Sequence, residues 1–362
     1  MASIEQRNGK FMVRWRINGK PRTKTFSTLK QAQHHKANVE QEISAGTALD
    51  PARGQTTFRV WREQWTENRQ NVKANTLSAS KSLYNAHMSL SWDTWRLDAI
   101  TQQDVQKWVN GIVKKGRSAS TVRAAYKDFS QCLRAAVTPK YIRESPCYGI
   151  NLPPIEHEEL VLLDHAEIAK LADKIKGRYS ALILTLAYSG IRVGEAAALK
   201  WPQVDLEAGT IRIIATASEH VGSGIVTTKP KSKAGIRTVP IPHHLVTALR
   251  AHKDKYSATG WVFTSSEGQQ LNTRNFNRRS FKTAKDALSY DLTIHDLRHT
   301  AISLWIRAGI DLVRIKTWAG HTDAAFTANI YGHLFPTDDA ALVETLNSNI
   351  VAALETAEVR YT

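Results

Sequence analysis

Residues 181–199 read ALILTLAYSGIRVGEAAAL. Their first eight positions are apolar on nearly every side, without alternation, and Gly190 follows at once, which predicts a fully buried helix stopped by a glycine. Val193 to Leu199 predicts a second helix. Downstream the period changes: VDLEAGTIRIIA and IRTVPI, between 204 and 242, read as strands, and helical spacing then returns to about residue 355. The carboxy-terminal half is therefore expected to be mainly α with a small antiparallel β-sheet. Leu163-Asp164-His165-Ala166 opens its first helix, and Pro146, Pro153 and Pro154 punctuate a linker at 151–158, so this domain is assigned to 159–335. A tail helix is expected over 336–362, because Leu342, Leu346, Ile350 and Leu354 fall four apart and make an apolar stripe that docks either on its own domain or on a neighbouring subunit.

Upstream, Phe11, Val13, Trp15 and Ile17 alternate with Lys10, Met12, Arg14 and Arg16, the period of a half-buried strand. Asn18-Gly19 then signals a tight hairpin into a second strand at about 20–26, and Leu29, Ala32, Val39 and Ile43 predict a helix over 29–45. These residues form a small ββα-like module at 1–46, a ribbon of the size that enters a DNA groove, followed by a linker at 47–57. Residues 58–150 show helical spacing and no strand pattern: Phe58/Trp61/Trp65, then Leu97 to Val113 with a Thr101–Asp104 capping box, then Ser118 to Val137. The whole is an α+β multidomain chain: ribbon and helix, an all-α domain, and the mainly α domain with its sheet.

Composition narrows the function classes. A chain of 362 residues with 42% hydrophobic content has material for two or three cores. Cys132 and Cys147 are too few for a disulfide framework or a cysteine-rich zinc site, which fits a reducing compartment. The start, MASIEQRNGKF, lacks a secretory pattern, and the apolar run at 181–188 is far shorter than the roughly 20 residues of a membrane span, so a cytoplasmic, nucleoid-associated protein without membrane contact is expected. Of the net charge of +16, residues 1–155 carry +14. A basic front on a near-neutral back suits a front that grips a polyanion through its phosphates. Candidate contacts are Arg14, Arg16, Lys20, Arg22 and Lys24 on the ribbon, and Lys114, Lys115, Arg117, Arg123 and Lys127 on the helical domain. Its tryptophans read as core anchors rather than base-stacking platforms.

Four stretches of the last domain set isolated polar side chains in apolar or glycine-bounded surroundings: SGIRVGEAAAL (189–199), KPKSKAGIRTVPI (229–241), TIHDLRHT (293–300) and WAGHTDAAFTANIYGHL (318–334). Arg192, just after a buried helix, is costly unless it meets an anion or pairs with Glu195, which orients it. His295 and Arg298 share one helix face; His299, with core-like Leu297, Ala301 and Ile302 around it, is assigned to structure. A zinc reading of His295, His299 and His321 is poor, since Asp296 stands where hydrolytic zinc helices carry Glu and an arginine in the next turn repels a dication. Two arginines, a lysine, two histidines and Tyr331, without a carboxylate pair or metal cage, suit phosphoryl transfer, where positioning and charge neutralisation dominate. No metal and no cofactor is expected.

In order and spacing these boxes resemble the active-site boxes of the tyrosine recombinases, the family of phage integrases. Arg192 in SGIRVGE resembles the family's first arginine, His295 and Arg298 in HDLRHT its His-x-x-Arg pair, His321 in AGH the following His/Trp position, and Tyr331 in NIYGHL its nucleophile. The lysine aligns best at Lys231, with Lys229 and Lys233 as rivals; Ala319 stands where Leu is common. The resemblance spans an arm-type DNA-binding module, a helical core-binding (SAM-like) domain and a catalytic domain. It implies a site-specific recombinase that integrates, and with accessory factors excises, phage DNA. Arg192 and Arg298 would clamp a DNA phosphate, His295 would take the Tyr331 proton, His321 would bond the phosphate, and Lys231 would protonate the leaving 5′-hydroxyl as a 3′-phosphotyrosine forms. Implied partners are double-stranded DNA at core-type and arm-type sites, three further copies in a homotetramer, a host DNA-bending protein and an excisionase. The alternatives are a type IB topoisomerase-like nicking-closing enzyme and a catalytically inactive DNA-binding regulator.

Overall fold

The computed structural model describes every residue except 1, 18, 46–47, 49, 71, 156–159, 176, 221–223, 231, 257–259, 288–290, 335–342, 345–346, 349 and 352–362, and leaves aside the side chains of 51, 220, 324, 326 and 333. The chain divides into two compact units, Met1–His157 and Glu158–Thr362.

The first unit opens with three antiparallel strands rather than two: β1 (Ser3–Arg7), β2 (Lys10–Ile17) and β3 (Lys20–Phe26), in that order across the sheet. The additional strand is joined to β2 through Asn8 and Gly9, both with positive φ (48° and 70°), the dihedrals of a tight hairpin turn. Along β2, Val13, Trp15 and Ile17 turn inward onto Ala32 and Val39 of the helix Leu29–Ser44, while Arg14 and Arg16 face solvent. Thr28 caps that helix by accepting the Gln31 N–H. The segment expected to be a plain linker holds a short helix, Pro51–Gly54, capped by Asp50. Asp50 also accepts both Nε and Nη2 of Arg22, at 2.7 Å each, and Arg143 pairs with Glu42, so ribbon module and helical bundle share one unit although each has its own core.

The bundle contains Phe58–Glu67, Ala74–Leu83 continuing through a π-turn (Tyr84–Met88) into Ser89–Trp92, then Gln102–Lys114 and Ala119–Ala135. The Thr101–Asp104 capping box forms as the spacing predicts. Trp92 stacks on Phe129 at 5.0 Å; Trp61 and Trp108 bury their rings and donate their indole N–H to the carbonyls of Cys132 and His87. These tryptophans are anchors of the core. Arg62 and Asp128, both buried, pair at 2.7 Å beneath them.

In the second unit, Ser180–Ser189 is buried along most of its length and packs against His165–Ile175 and Asp296–Arg307. It ends at Gly190, φ 59°, where a Cβ would come within 2.8 Å of Trp305. Only glycine satisfies both the left-handed turn and that approach. The strand-like stretch becomes a three-stranded antiparallel sheet ordered β4 (Val204–Asp205), β5 (Thr210–Ile213), β8 (Arg237–Pro240), with a separate hairpin of β6 (Thr216–His220) and β7 (Gly224–Thr228) between. Helices Leu312–Ala319 and Ala324–Tyr331 close the core over it. The expected tail helix lies largely outside the described residues, as do Leu342, Leu346 and Leu354; Ile350 is described and exposed. Among the described residues no helix is long and apolar enough to cross a membrane.

Candidate active site

The site is built where five chain segments of the second unit converge. Arg192 is the N-cap residue of Val193–Ala197, and one turn on, Glu195 accepts its backbone N–H at 2.9 Å and its Nη1 at 3.1 Å. Glu195 does more than orient Arg192. Its two oxygens also receive Nη1 and Nη2 of Arg237 from β8, at 3.1 and 2.8 Å, and both side chains are almost wholly enclosed. Burial alone would raise the Glu195 pKa; hydrogen bonds and charge from Arg237, with help from Arg192, outweigh it and hold the carboxyl below its ordinary range. Arg237 continues to the Trp318 carbonyl at 2.6 Å, tying β8 to the end of Leu312–Ala319.

The next residues of that turn carry the site further. Gly320 has φ 66°, and a Cβ there would lie 2.9 Å from Arg237 Nη1. Arg298, 3% exposed, donates to the carbonyls of Gly190 and Ala319 at 2.5 Å each and meets His321 Nε2 at 2.8 Å. A guanidinium has no acceptor, so His321 accepts at Nε2 and its Nδ1–H donates to Thr327 Oγ1 at 2.7 Å. Burial first, then the charges of Arg298, Arg192 and Arg237, push the His321 pKa down to about 3 and keep the ring neutral. Burial, then the charge of Arg192, also lowers Arg298. Three guanidinium groups against the carboxylates of Glu195 and, on the cavity lining, Asp323 leave an excess of positive charge that an anion would satisfy. Arg192, Glu195, Gly320 and His321 line an open cavity of about 670 Å³.

Tyr331 ends Ala324–Tyr331 and is 1% exposed. Its hydroxyl lies 2.5 Å from Nδ1 of His299, the histidine assigned to structure on its core-like neighbours. Leu297, Ala301 and Ile302 do face the core, and His299, one turn beyond His295, adds to that structural setting a ring turned to the phenol. His295 is solvent-accessible and sets its ring edge-on to His299 at 4.8 Å. Desolvation, then Arg298 and Arg192, lower the His295 pKa. The ring nitrogen hydrogen-bonded to the phenol is thus Nδ1 of His299.

Lys231 lies outside the described residues; its neighbours Pro230 and Ser232 line the same cavity, and its rivals Lys229 and Lys233 are exposed. Of the expected DNA contacts, Arg14, Arg16, Lys20, Lys24, Lys114, Lys115, Arg117 and Lys127 are exposed. Arg22 and Arg123 are revised: Arg22 is committed to Asp50, and half-buried Arg123 donates to the Pro153 carbonyl at 2.8 Å. Sequence reasoning also passed over Arg237, although its place beside Val239 in an alternating strand put a charge on the inward face, a signal for a buried ion pair.

Comparison with known proteins bears on this arrangement. The model of the phage integrase family matches residues 156–337, half of the chain, and that of the phage integrase N-terminal SAM-like domain matches 57–113. A tyrosine recombinase XerC-like protein of Caldanaerobacter subterraneus is 28% identical over 281 residues, 70% of this chain and 72% of its own. The Tn1549 transposon integrase, solved with transposon right end DNA, superposes with a TM-score of 0.69 at 20% identity, over 81% of this chain and all of that one. A lambda integrase tetramer bound to a Holliday junction gives 0.58 at 18% identity, over 89% and 93%. Fold and residue set had led to the same place, and the extent of the family match closes the question: this chain belongs to the phage integrase family and is a tyrosine recombinase.

Proposed function

We propose that the protein cleaves and rejoins double-stranded DNA at chosen sites through a 3′-phosphotyrosine on Tyr331, integrating phage DNA and, with accessory factors, excising it. The observation that carries this reading is the contact of Arg298 with His321 and of Arg237 and Arg192 with Glu195 behind a cavity that Arg192, Glu195 and His321 line, with the Tyr331 phenol held by His299, the residue after Arg298. Arg192, 43% exposed at its side chain, is the arm that reaches a phosphate; Arg298 is pre-set by its two carbonyl contacts. Together they favour the more highly charged pentacoordinate state. His295 donates to a phosphate oxygen, and His321, its Nε2 accepting from Arg298 and its Nδ1–H given to Thr327, holds Arg298 in place. Lys231, between the cavity-lining Pro230 and Ser232 in sequence, is the acid for the leaving 5′-oxygen. Because the phosphotyrosine retains the ester bond, a second 5′-hydroxyl reverses the step.

The exposed basic residues of β2 and β3 read arm-type DNA and those of the helical bundle hold core-type DNA, in a homotetramer assisted by a host bending protein and an excisionase. The lambda integrase tetramer on its junction supports that assembly. The test is covalent capture from a pool of nicked duplexes randomised across the crossover: the wild type is expected to retain a defined sequence as a detergent-stable adduct, and Arg298→Lys to bind it with most cleavage lost. Adducts of any sequence, with supercoil relaxation and no joining of two sites, would favour the nicking-closing enzyme instead.

A further inference from the structure

Strand cleavage needs the Tyr331 proton removed, a role that the family resemblance gives to His295. Among the described residues, His299 Nδ1 is the hydrogen-bond partner of the Tyr331 hydroxyl, at 2.5 Å. The phenol is 1% exposed, so bulk water cannot serve as acceptor where it stands. Two helices set the contact: Asp296–Arg307 brings His299, and Ala324–Tyr331 brings the phenol across the core.

We propose that His299 is a catalytic residue of strand cleavage, its Nδ1 receiving the Tyr331 proton as the phenol attacks phosphorus and returning it on rejoining. This rests on the reading of Tyr331 as the nucleophile. In the step, the Oη–H bond breaks and Oη–P forms while P–O5′ breaks. The phenol proton becomes the Nδ1–H of an imidazolium, and the leaving 5′-oxygen takes a separate proton from a lysine ammonium, for which Lys231 is the candidate. Rejoining runs the same bonds backward.

The surroundings fit both the resting and the reacting state. The groups around His299 are His295, Asp296 and Arg298 on its own helix, Tyr331 from the last helix and His321 from the turn before it. Burial, then His295, holds the His299 pKa down to about 4, so at neutral pH the ring is uncharged and one nitrogen is open as an acceptor. Burial pushes Tyr331 up to about 12, so the phenol keeps its proton until DNA arrives. A bound phosphodiester adds negative charge beside the ring and favours the imidazolium.

The experiment uses the full chain and the duplex recovered by covalent capture, with a 5′-bridging sulfur at the scissile phosphate so that the leaving group needs no acid. Adduct formation is followed from about pH 6 to about pH 9 for the wild type, His299→Ala and His299→Asn, beside DNA affinity. The wild-type rate is expected to be nearly flat. H299A should be slower by about 100-fold near neutrality and should recover about tenfold per pH unit, because only preformed phenolate then reacts. H299N keeps a hydrogen-bond acceptor near the Nδ1 position but its amide takes no proton in this pH range, so it should stay about as slow as H299A at unchanged DNA affinity, and recovery to the wild-type rate would overturn the proton-transfer role. A wild-type rate that itself climbs tenfold per pH unit would overturn the proposal whatever the variants do. So would an H299A rate matching the wild type, or a deficit identical at every pH. Adducts persisting in Tyr331→Phe would instead overturn the nucleophile reading, and are scored separately.

Discussion

Arg237 holds Glu195 by two contacts, 3.1 and 2.8 Å, with both side chains shut away from solvent and the guanidinium also fixed to the Trp318 carbonyl. One ion pair thereby joins the helix that begins at Arg192 to the turn that ends at His321. Losing the guanidinium would leave a buried carboxylate short of partners, a cost of about 3–5 kcal/mol. Arg237→Ala should therefore lower the melting temperature. Arg237→Lys should retain more stability but still cleave slowly, since an ammonium cannot fork across two carboxylate oxygens. Thermal melts and adduct rates check this; a full-speed Arg237→Ala would contradict it.

Acid should weaken the site through its histidines. His299 and His321 are held at about 4 and about 3, below their unfolded value near 6.5. Their contribution to stability is complete above that value and is lost as pH falls toward the folded ones, because the unfolded chain binds protons that the folded chain refuses. Melting temperature should decline between about pH 6.5 and about pH 4, and His321→Asn should flatten the decline. A profile unchanged by that substitution would count against the neutral ring at His321.

Gly320→Ala should cost about 1 kcal/mol for its positive φ, and more for pressing a methyl onto Arg237. Chemical denaturation should show the loss, with adduct formation falling alongside because Arg237 is displaced. A neutral substitution would mean that the turn can relax without the ion pair noticing.

The exposed arginines of the ribbon should divide from the committed one. Arg14→Ala and Arg16→Ala should weaken arm-DNA binding and each reduce the logarithmic salt slope by about one. Arg22→Ala should instead lower stability, since its guanidinium is spent on Asp50. Salt-dependent binding isotherms separate the two classes, and a salt slope changed by Arg22→Ala would reassign it to the DNA face.

Much of this was legible in the chain. Alternation in 11–17 announced β2, Thr101 and Asp104 announced their helix start, and Gly190 its helix end, because each signal is local and backed by burial on one face. The first strand was missed although Asn8-Gly9 carries the same turn signal as Asn18-Gly19; SIEQR has a single strongly apolar residue and so little alternation to read. The ring of His299 and the Arg237–Glu195 pair depend on contacts across 32 and 42 residues of chain, and spacing along one helix or strand does not report them.

The central claim is tested most directly by digesting the protein–DNA adduct formed on the captured duplex and locating the modified residue by mass spectrometry. One nucleotide-bearing peptide is expected, with the phosphate on Tyr331 and a free 5′-hydroxyl on the released strand. A phosphate on any other side chain, or adducts that survive Tyr331→Phe, would contradict it.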